Sequence, residues 1–374
     1  MRGSLEKRGR SSWRVRVYIG ADPVTGTKRT VSRTVVGSKR DAEDVLNRLL
    51  LEAGDGRHLA SGLTVGDLLD QWWPMKRPTL SPTTARDWDS CLRLHVRPHV
   101  EGMPLHKFRA MDMDRYKRLG EAGVGPQRVR RVHTILSTAL GQAVRWEMIA
   151  ANPALSASPP EVRERQVQPP SPAVVAAFYE GLEADDADLA MFVWLASFTG
   201  ARRGELCALR WADIDLLDGS LLISRALVDG GGTLVEKDTK THQSRRIALG
   251  HETVAKLVTY HDVAIERAAA CGTSLRDEAF VFTNAVDGAT PWWPDSVTHR
   301  FIRARRQADL PEGLRLHDLR HFLATRMISS GIDVRTVSGR LGHRRTSTTT
   351  DRYAAFVPAA DRAAAAAFEE AFLA

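Results

Sequence analysis

Two stretches decide how this chain folds: Thr199-Gly-Ala-Arg-Arg-Gly-Glu-Leu206, and the run from Leu316-His-Asp-Leu-Arg-His321 through Leu341-Gly-His343 to Tyr353. Both are set in apolar sequence of helical character. Between them they supply Arg202 and Arg320, His317 and His343, and a late tyrosine. A planar guanidinium donates two parallel hydrogen bonds and keeps its charge at any working pH, which suits the non-bridging oxygens of a phosphodiester. A phenol has a pKa of about 10, so Tyr353 becomes a nucleophile at neutral pH only where a base or cationic surroundings help it. Arg203, beside Arg202, competes for the same role. His317 lies three residues before Arg320, so the two share one face of a helix start. His321 is expected to face elsewhere and to serve structure. Glu205 is expected to pair with a cation near this cluster, the alternative being a solvated helix carboxylate.

Taken singly these blocks are weak signals, but their order and spacing agree as well as their identities. The chain resembles the tyrosine recombinase family, specifically its phage and integrative-element integrases. The matching positions are Arg202 in Thr-Gly-x-Arg-x-x-Glu-Leu, His317 and Arg320 in His-x-Leu-Arg-His, His343 in Leu-Gly-His, and Tyr353 ten residues on. The likeness is strong from about Pro170 to the end and holds in outline before that.

The resemblance implies a site-specific DNA recombinase. Tyr353 would attack a phosphodiester, form a 3′-phosphotyrosyl bond and free a 5′-hydroxyl, with no cofactor. It also implies that His317 assists proton transfer and that His343 donates a hydrogen bond to the scissile phosphate. A lysine in the hairpin Glu236–Arg246 would protonate the leaving 5′-oxygen; Lys240 matches best and Lys237 competes. The implied partners are double-stranded DNA, at core and arm attachment sites, and three further copies of the chain in a tetramer. DNA-bending or directionality factors would be accessory. Whether Ala359–Ala374 packs on its own domain or on a neighbour stays open. Within the same chemistry a type IB topoisomerase is the rival reading; a regulator with a dead recombinase fold is the rival from another class.

Composition sets the frame for this. A chain of 374 residues suggests two or three domains, and 43% hydrophobic with 26% charged residues is enough apolar sequence for real cores. No apolar run approaches the ~20 residues of a membrane span, and the first 20 residues are basic and polar, so a cytoplasmic protein is expected. Cys91, Cys207 and Cys271 are widely spaced, which fits reduced, buried thiols. There is no zinc-ligand spacing and no phosphate-binding Gly-rich loop; Gly230-Gly-Gly232 reads as a hairpin turn. Residues 1–40 hold 11 Lys/Arg against 2 Asp/Glu, more than the whole chain's excess of +8. A basic module on a near-neutral body points to a polyanionic partner, most simply nucleic acid.

Working outward, residues 12–36 alternate as strands, with Trp13, Val15, Val17 and Ile19 between Arg14, Arg16 and Tyr18. A sheet face carrying Arg14, Arg16, Lys28, Arg29 and Arg33 is the candidate arm-site surface. Ser38-Lys-Arg-Asp41 and Thr64-x-x-Asp67 read as capping boxes. Ser81-Pro82 opens a helix that should stop before Pro98, and another runs from about Pro126 to Trp146 with Arg128, Arg130 and Arg131 at its start. Five prolines between Ser156 and Pro172 mark a linker. The expected layout is a small sheet plus helix (1–58), an all-helical core-binding domain (62–153), a linker (154–172), and a mainly α catalytic domain (173–374) with a short three-stranded antiparallel sheet near Ser220–Leu249.

Overall fold

The computed structural model describes residues 3–21, 28–54, 62–159, 161–162, 169–238, 244–353, 365–366, 368–370 and 372–373. The chain forms two compact units, Met1–Glu164 and Arg165–Ala374.

The first unit begins with β1 (Gly3–Lys7), β2 (Ser12–Ala21) and β3 (Lys28–Val36), an antiparallel sheet in the order β1-β2-β3, followed by α1 (Lys39–Gly54). Strand β1 was not legible in the sequence. Val15 and Val17 are fully buried with Ala42 and Leu49 of α1, so the period-two alternation of β2 sends Arg14 and Arg16 to the opposite face. Ser38 and Asp41 cap α1 reciprocally: the Ser38 N–H donates to Asp41 Oδ2 at 2.7 Å, and the Asp41 N–H to Ser38 Oγ at 3.3 Å.

The rest of this unit is helical, with a separate core. It comprises α2 (Val65–Lys76), α3 (Pro82–Cys91), α4 (Arg97–Val100), α5 (Ala110–Asp114), α6 (Lys117–Glu121) and α7 (Pro126–Arg145). The Thr64–Asp67 capping box is formed. On α7, Val129, Val132, Leu136 and Leu140 form the buried stripe that the 3.6-residue period predicts, packed on α2 and α3. The helix that begins at Pro82 does not stop before Pro98. A π turn, Leu92–Val96, widens the coil so that the Arg97 N–H bonds the Leu92 carbonyl, and α4 carries Pro98 in its first turn, where a missing N–H costs nothing.

The second unit holds α8 (Pro172–Asp185), α9 (Ala187–Thr199), α10 (Arg203–Cys207), β4 (Ile214–Asp215), β5 (Ser220–Ile223), β6 (Arg225–Asp229), β7 (Leu234–Asp238) and β8 (Arg245–Ala248). Among the described residues five further helices follow: α11 (His251–Ala270), α12 (Pro294–Gln307), α13 (Leu316–Ser329), α14 (Val334–Leu341) and α15 (Thr346–Tyr353). Helix α9 is apolar on nearly every side and lies at the centre, with Leu189, Phe192, Val193 and Leu195 almost inaccessible to water. The single three-stranded sheet expected near Ser220–Leu249 is two structures: a sheet in the order β4-β5-β8, and a β6–β7 ladder apart from it. Only Ser224 separates β5 from β6, too short a connection for a reversal, so β6 pairs with β7 instead. The Gly230-Gly-Gly232 turn closes that hairpin, with Asp229 Oδ1 accepting from the N–H groups of Gly231 and Gly232.

Cys91 and Cys207 are buried, and burial pushes their thiols up, to about 11 and about 12. Cys271 is exposed, against expectation, because it follows the last turn of α11, where the helix ends in solvent. Among the described residues no helix is long and apolar enough to cross a membrane.

Candidate active site

Helix α9 ends at Gly200, whose φ of +64° is left-handed, and a Cβ there would sit 2.7 Å from the Leu341 side chain. Thr199 Oγ1 donates to the Leu195 carbonyl and accepts from the Ala201 N–H at 3.1 Å, which fixes the turn. The chain then enters α10 with Arg202 at the N-cap. Glu205 caps it: Oε2 accepts from the Arg202 N–H at 2.8 Å, and Oε1 accepts from Arg202 Nη1 at 2.8 Å. Arg202 Nη2 reaches the Gly342 carbonyl at 3.4 Å. Arg203 turns the other way, donating to Thr298 Oγ1 and pairing with Asp295 on α12 at 3.1 Å. The two adjacent arginines thus serve different neighbourhoods.

Arg320 is buried (3% exposed), and its guanidinium bridges the chain's two informative stretches. Nη1 donates to the Gly200 carbonyl and Nη2 to the Leu341 carbonyl at 2.6 Å. Both acceptors are helix-end carbonyls without an intrahelical partner, so a cation there also matches the C-terminal dipoles of α9 and α14. His317 lies exposed at the start of α13. Its ring meets that of His321 edge to face, with centroids 4.9 Å apart. This corrects the expectation that His321 faces elsewhere: positions four apart stack on one helical face.

A residue that sequence reasoning passed over completes the cluster. Arg245, on β8, donates from Nη2 to Glu205 Oε2 at 2.6 Å and from Nε to the Arg340 carbonyl at 2.9 Å. Its side chain is 8% exposed and that of Glu205 is 1% exposed. The Gly342 Cα packs against this guanidinium, leaving no room for a Cβ. Burial pushes the Glu205 carboxyl up, but the hydrogen bond and charge of Arg245, with the charge of Arg202, outweigh it and hold the group below its ordinary range. Arg202 and Arg245 thus share one carboxylate, and together with Arg320 they take the carbonyls of Gly200, Arg340, Leu341 and Gly342, leaving a cationic excess suited to a phosphate.

Gly342, with φ +65°, ends α14 and releases His343. His343 Nδ1 lies 2.8 Å from Oγ1 of the fully buried Thr349 on α15. Tyr353 is the last residue of that helix, four positions after Thr349. The Tyr353 side chain and all of Lys240 lie outside the described residues. Lys240 falls between β7 and β8, while Lys237 is on β7, paired in register with Ala226.

In the first unit the predicted contact residues divide. Arg14 and Arg16 share the face of β2 away from α1, opposite Thr34 and Ser32 of β3. Arg33 does not join them: it pairs with Val15, and the period-two register puts it on the helix side at the edge of β3. Lys28 is exposed beside Ala21, and the Arg29 side chain lies outside the described residues. Arg130 is exposed, whereas Arg128 and Arg131 converge on Asp87 at 2.6 and 3.5 Å. They line a concavity of about 520 Å³ at the N-terminus of α7.

The phage integrase family matches residues 172–358, half of the chain, and the N-terminal SAM-like domain of phage integrases matches residues 64–117. The ICEBs1 integrase of Bacillus subtilis is 24% identical over 358 residues, covering 95% of this chain and 96% of that protein. Among solved structures, the Tn1549 transposon integrase in complex with transposon right-end DNA superposes with a TM-score of 0.69 at 21% identity, over 83% of this chain and 100% of that one. A lambda integrase tetramer bound to a Holliday junction gives 0.59 at 19% identity, over 94% and 96%. The chain belongs to the phage integrase family, the tyrosine-type recombinases that break and rejoin DNA at specific sites to integrate or excise a phage or mobile element.

Proposed function

We propose that Arg202, Arg320 and His343 hold the scissile phosphate, that Tyr353 is the nucleophile, and that His317 and Lys240 handle the protons. The observation that carries this reading is the meeting of Arg202 and Arg320 on one corner of the backbone, through the carbonyls of Gly200, Leu341 and Gly342. Guanidiniums pinned in this way are preorganised for charge that grows on phosphorus in the transition state. Tyr353 Oη gives up its proton to His317 and attacks phosphorus, the P–O5′ bond breaks, and the leaving oxygen takes a proton from Lys240. A 5′-hydroxyl of the partner strand reverses the step. The divergence of Arg203 towards Thr298 and Asp295 favours Arg202 as the clamp.

The substrate is double-stranded DNA carrying core and arm sites, and four protomers act on two duplexes in the cytoplasm. The Arg14–Arg16 face of the small sheet reads arm DNA, with Lys28 and Arg29 at its border. The helical cluster of residues 62–153 grips core DNA, with Arg128, Arg130 and Arg131 against its backbone. Phe368, Phe372 and Leu373 are largely exposed, an apolar edge that a neighbouring protomer would cover. DNA-bending or directionality factors would be accessory partners in arm-to-core looping.

Incubation with a nicked core-site duplex, which loses its 5′-hydroxyl fragment on cleavage, should trap a covalent protein–DNA adduct. Peptide mapping that attaches the DNA at any residue other than Tyr353 overturns the assignment. Arg14→Ala with Arg16→Ala should weaken binding to arm-site duplexes about tenfold or more, with a shallower salt dependence, while core cleavage is retained. Equal loss at core and arm sites in a gel-shift and cleavage comparison would remove the division of labour.

A further inference from the structure

The contact between Thr349 and His343 carries more than local packing. Thr349 is fully buried, its hydroxyl faces His343 Nδ1 at 2.8 Å, and no other side-chain hydrogen bond of Thr349 is formed among the described residues. The neighbouring Thr350, by contrast, turns its hydroxyl back to the carbonyl of Thr346. A hydroxyl facing a ring nitrogen can donate or accept. If it accepted, Nδ1 would carry the proton and the buried Thr349 O–H would have no acceptor among the described residues, which is costly. If it donates, that cost vanishes, Nδ1 is the acceptor, and the ring proton sits on Nε2. The same logic opposes the imidazolium form, which would force Nδ1 to donate.

We propose that Thr349 is a positioning residue that fixes His343 as the neutral, Nε2-protonated tautomer, and so presents Nε2–H as the hydrogen-bond donor to the scissile phosphate. Residues 349 and 353 are four apart on α15, and α15 packs on α14 and α13. The helix that carries the nucleophile therefore also sets the tautomer of the phosphate-binding imidazole. Gly342 makes the approach possible, because its left-handed turn reverses the chain between α14 and the ring. The proposal rests on the reading of His343 as a phosphate ligand.

The test uses the full chain labelled with ¹⁵N-histidine. The His343 resonances of the unaltered protein should show an unprotonated Nδ1 and a protonated Nε2 at neutral pH; the opposite tautomer overturns the proposal without any variant. Thr349→Val keeps shape and removes the hydroxyl. It should release the tautomer preference and slow single-turnover cleavage of a nicked core site about tenfold or more, with core-DNA affinity unchanged, a smaller loss than the ~10²–10³-fold of deleting a preorganised donor outright. Thr349→Ser restores the hydroxyl and should restore both the tautomer and the rate. An unchanged tautomer in Thr349→Val, or a serine variant as slow as valine, sinks the role of Thr349. Full cleavage by His343→Ala would instead remove the reading of His343 itself, and the two failures are distinguishable.

Discussion

Tyr353→Phe is expected to bind core DNA as the unaltered protein does and never to become covalently attached to it. The substitution removes one oxygen and leaves the ring, so packing and charge around α15 are unchanged. On the proposed reading, what is lost is the bond-forming atom. Removal of the covalent nucleophile of a serine protease costs on the order of 10⁶-fold. Adduct formation on the nicked substrate should fall below detection while the gel-shift affinity stays within about twofold. A persistent adduct in this variant would end the assignment, and a parallel loss of DNA affinity would mean that the phenol binds more than it reacts.

Arg245→Met is expected to destabilise the second unit by about 3 kcal/mol and to slow cleavage as well. Arg245 and Glu205 are almost wholly withdrawn from water, and removing one partner of a buried pair leaves an uncompensated charge, a loss of ~3–5 kcal/mol. Arg202 also bonds Glu205 and offsets part of that loss, which places the expectation at the lower end. The effect has a definite pH dependence. Glu205 is held below its ordinary value of 4.5 in the folded protein, so its ionised pairing contributes stability above pH 4.5 that is lost as pH falls through the folded value. In the methionine variant the carboxyl has lost its main stabilising cation and can take up a proton at much less cost. The stability gap between the two proteins should therefore be widest near pH 7 and narrow below pH 4.5. Urea titrations at the two pH values decide it; a gap that does not change with pH would mean that Arg245 acts by packing alone. Glu205→Gln combined with Arg245→Met should be less destabilising than the sum of the single changes, because the orphaned charge is gone.

Much of this protein was written locally. The turn at Thr199–Arg202, the capping boxes at Ser38 and Thr64, the apolar stripe of α7 and the alternation of β2 each depend on residues within one or two turns of each other. Spacing alone brings such residues together. Even here the reading slipped where a local device broke the period: the π turn at Leu92–Val96 carries the helix past Pro98, and the single residue Ser224 splits one expected sheet into two. The register that sends Arg33 away from Arg14 was available in principle from the pattern of Val31, Arg33 and Val35. Lys-Arg clustering at that end of the chain obscured it.

The sequence by itself determined which side chains could carry the chemistry, because Arg202, Arg320, His343 and Tyr353 stand in short motifs whose order is visible along the chain. Only the tertiary structure decided how the two arginines and His343 are held. Arg245 lies 40 residues from Glu205 and 95 from the carbonyl it bonds at Arg340, and Arg320 lies 120 residues from its acceptor at Gly200. Contacts at such separations follow from how α9 packs on α13, α13 on α14 and α14 on β8. The energies that fix them, a desolvated ion pair and helix-end carbonyls needing donors, do not exist until the chain has closed.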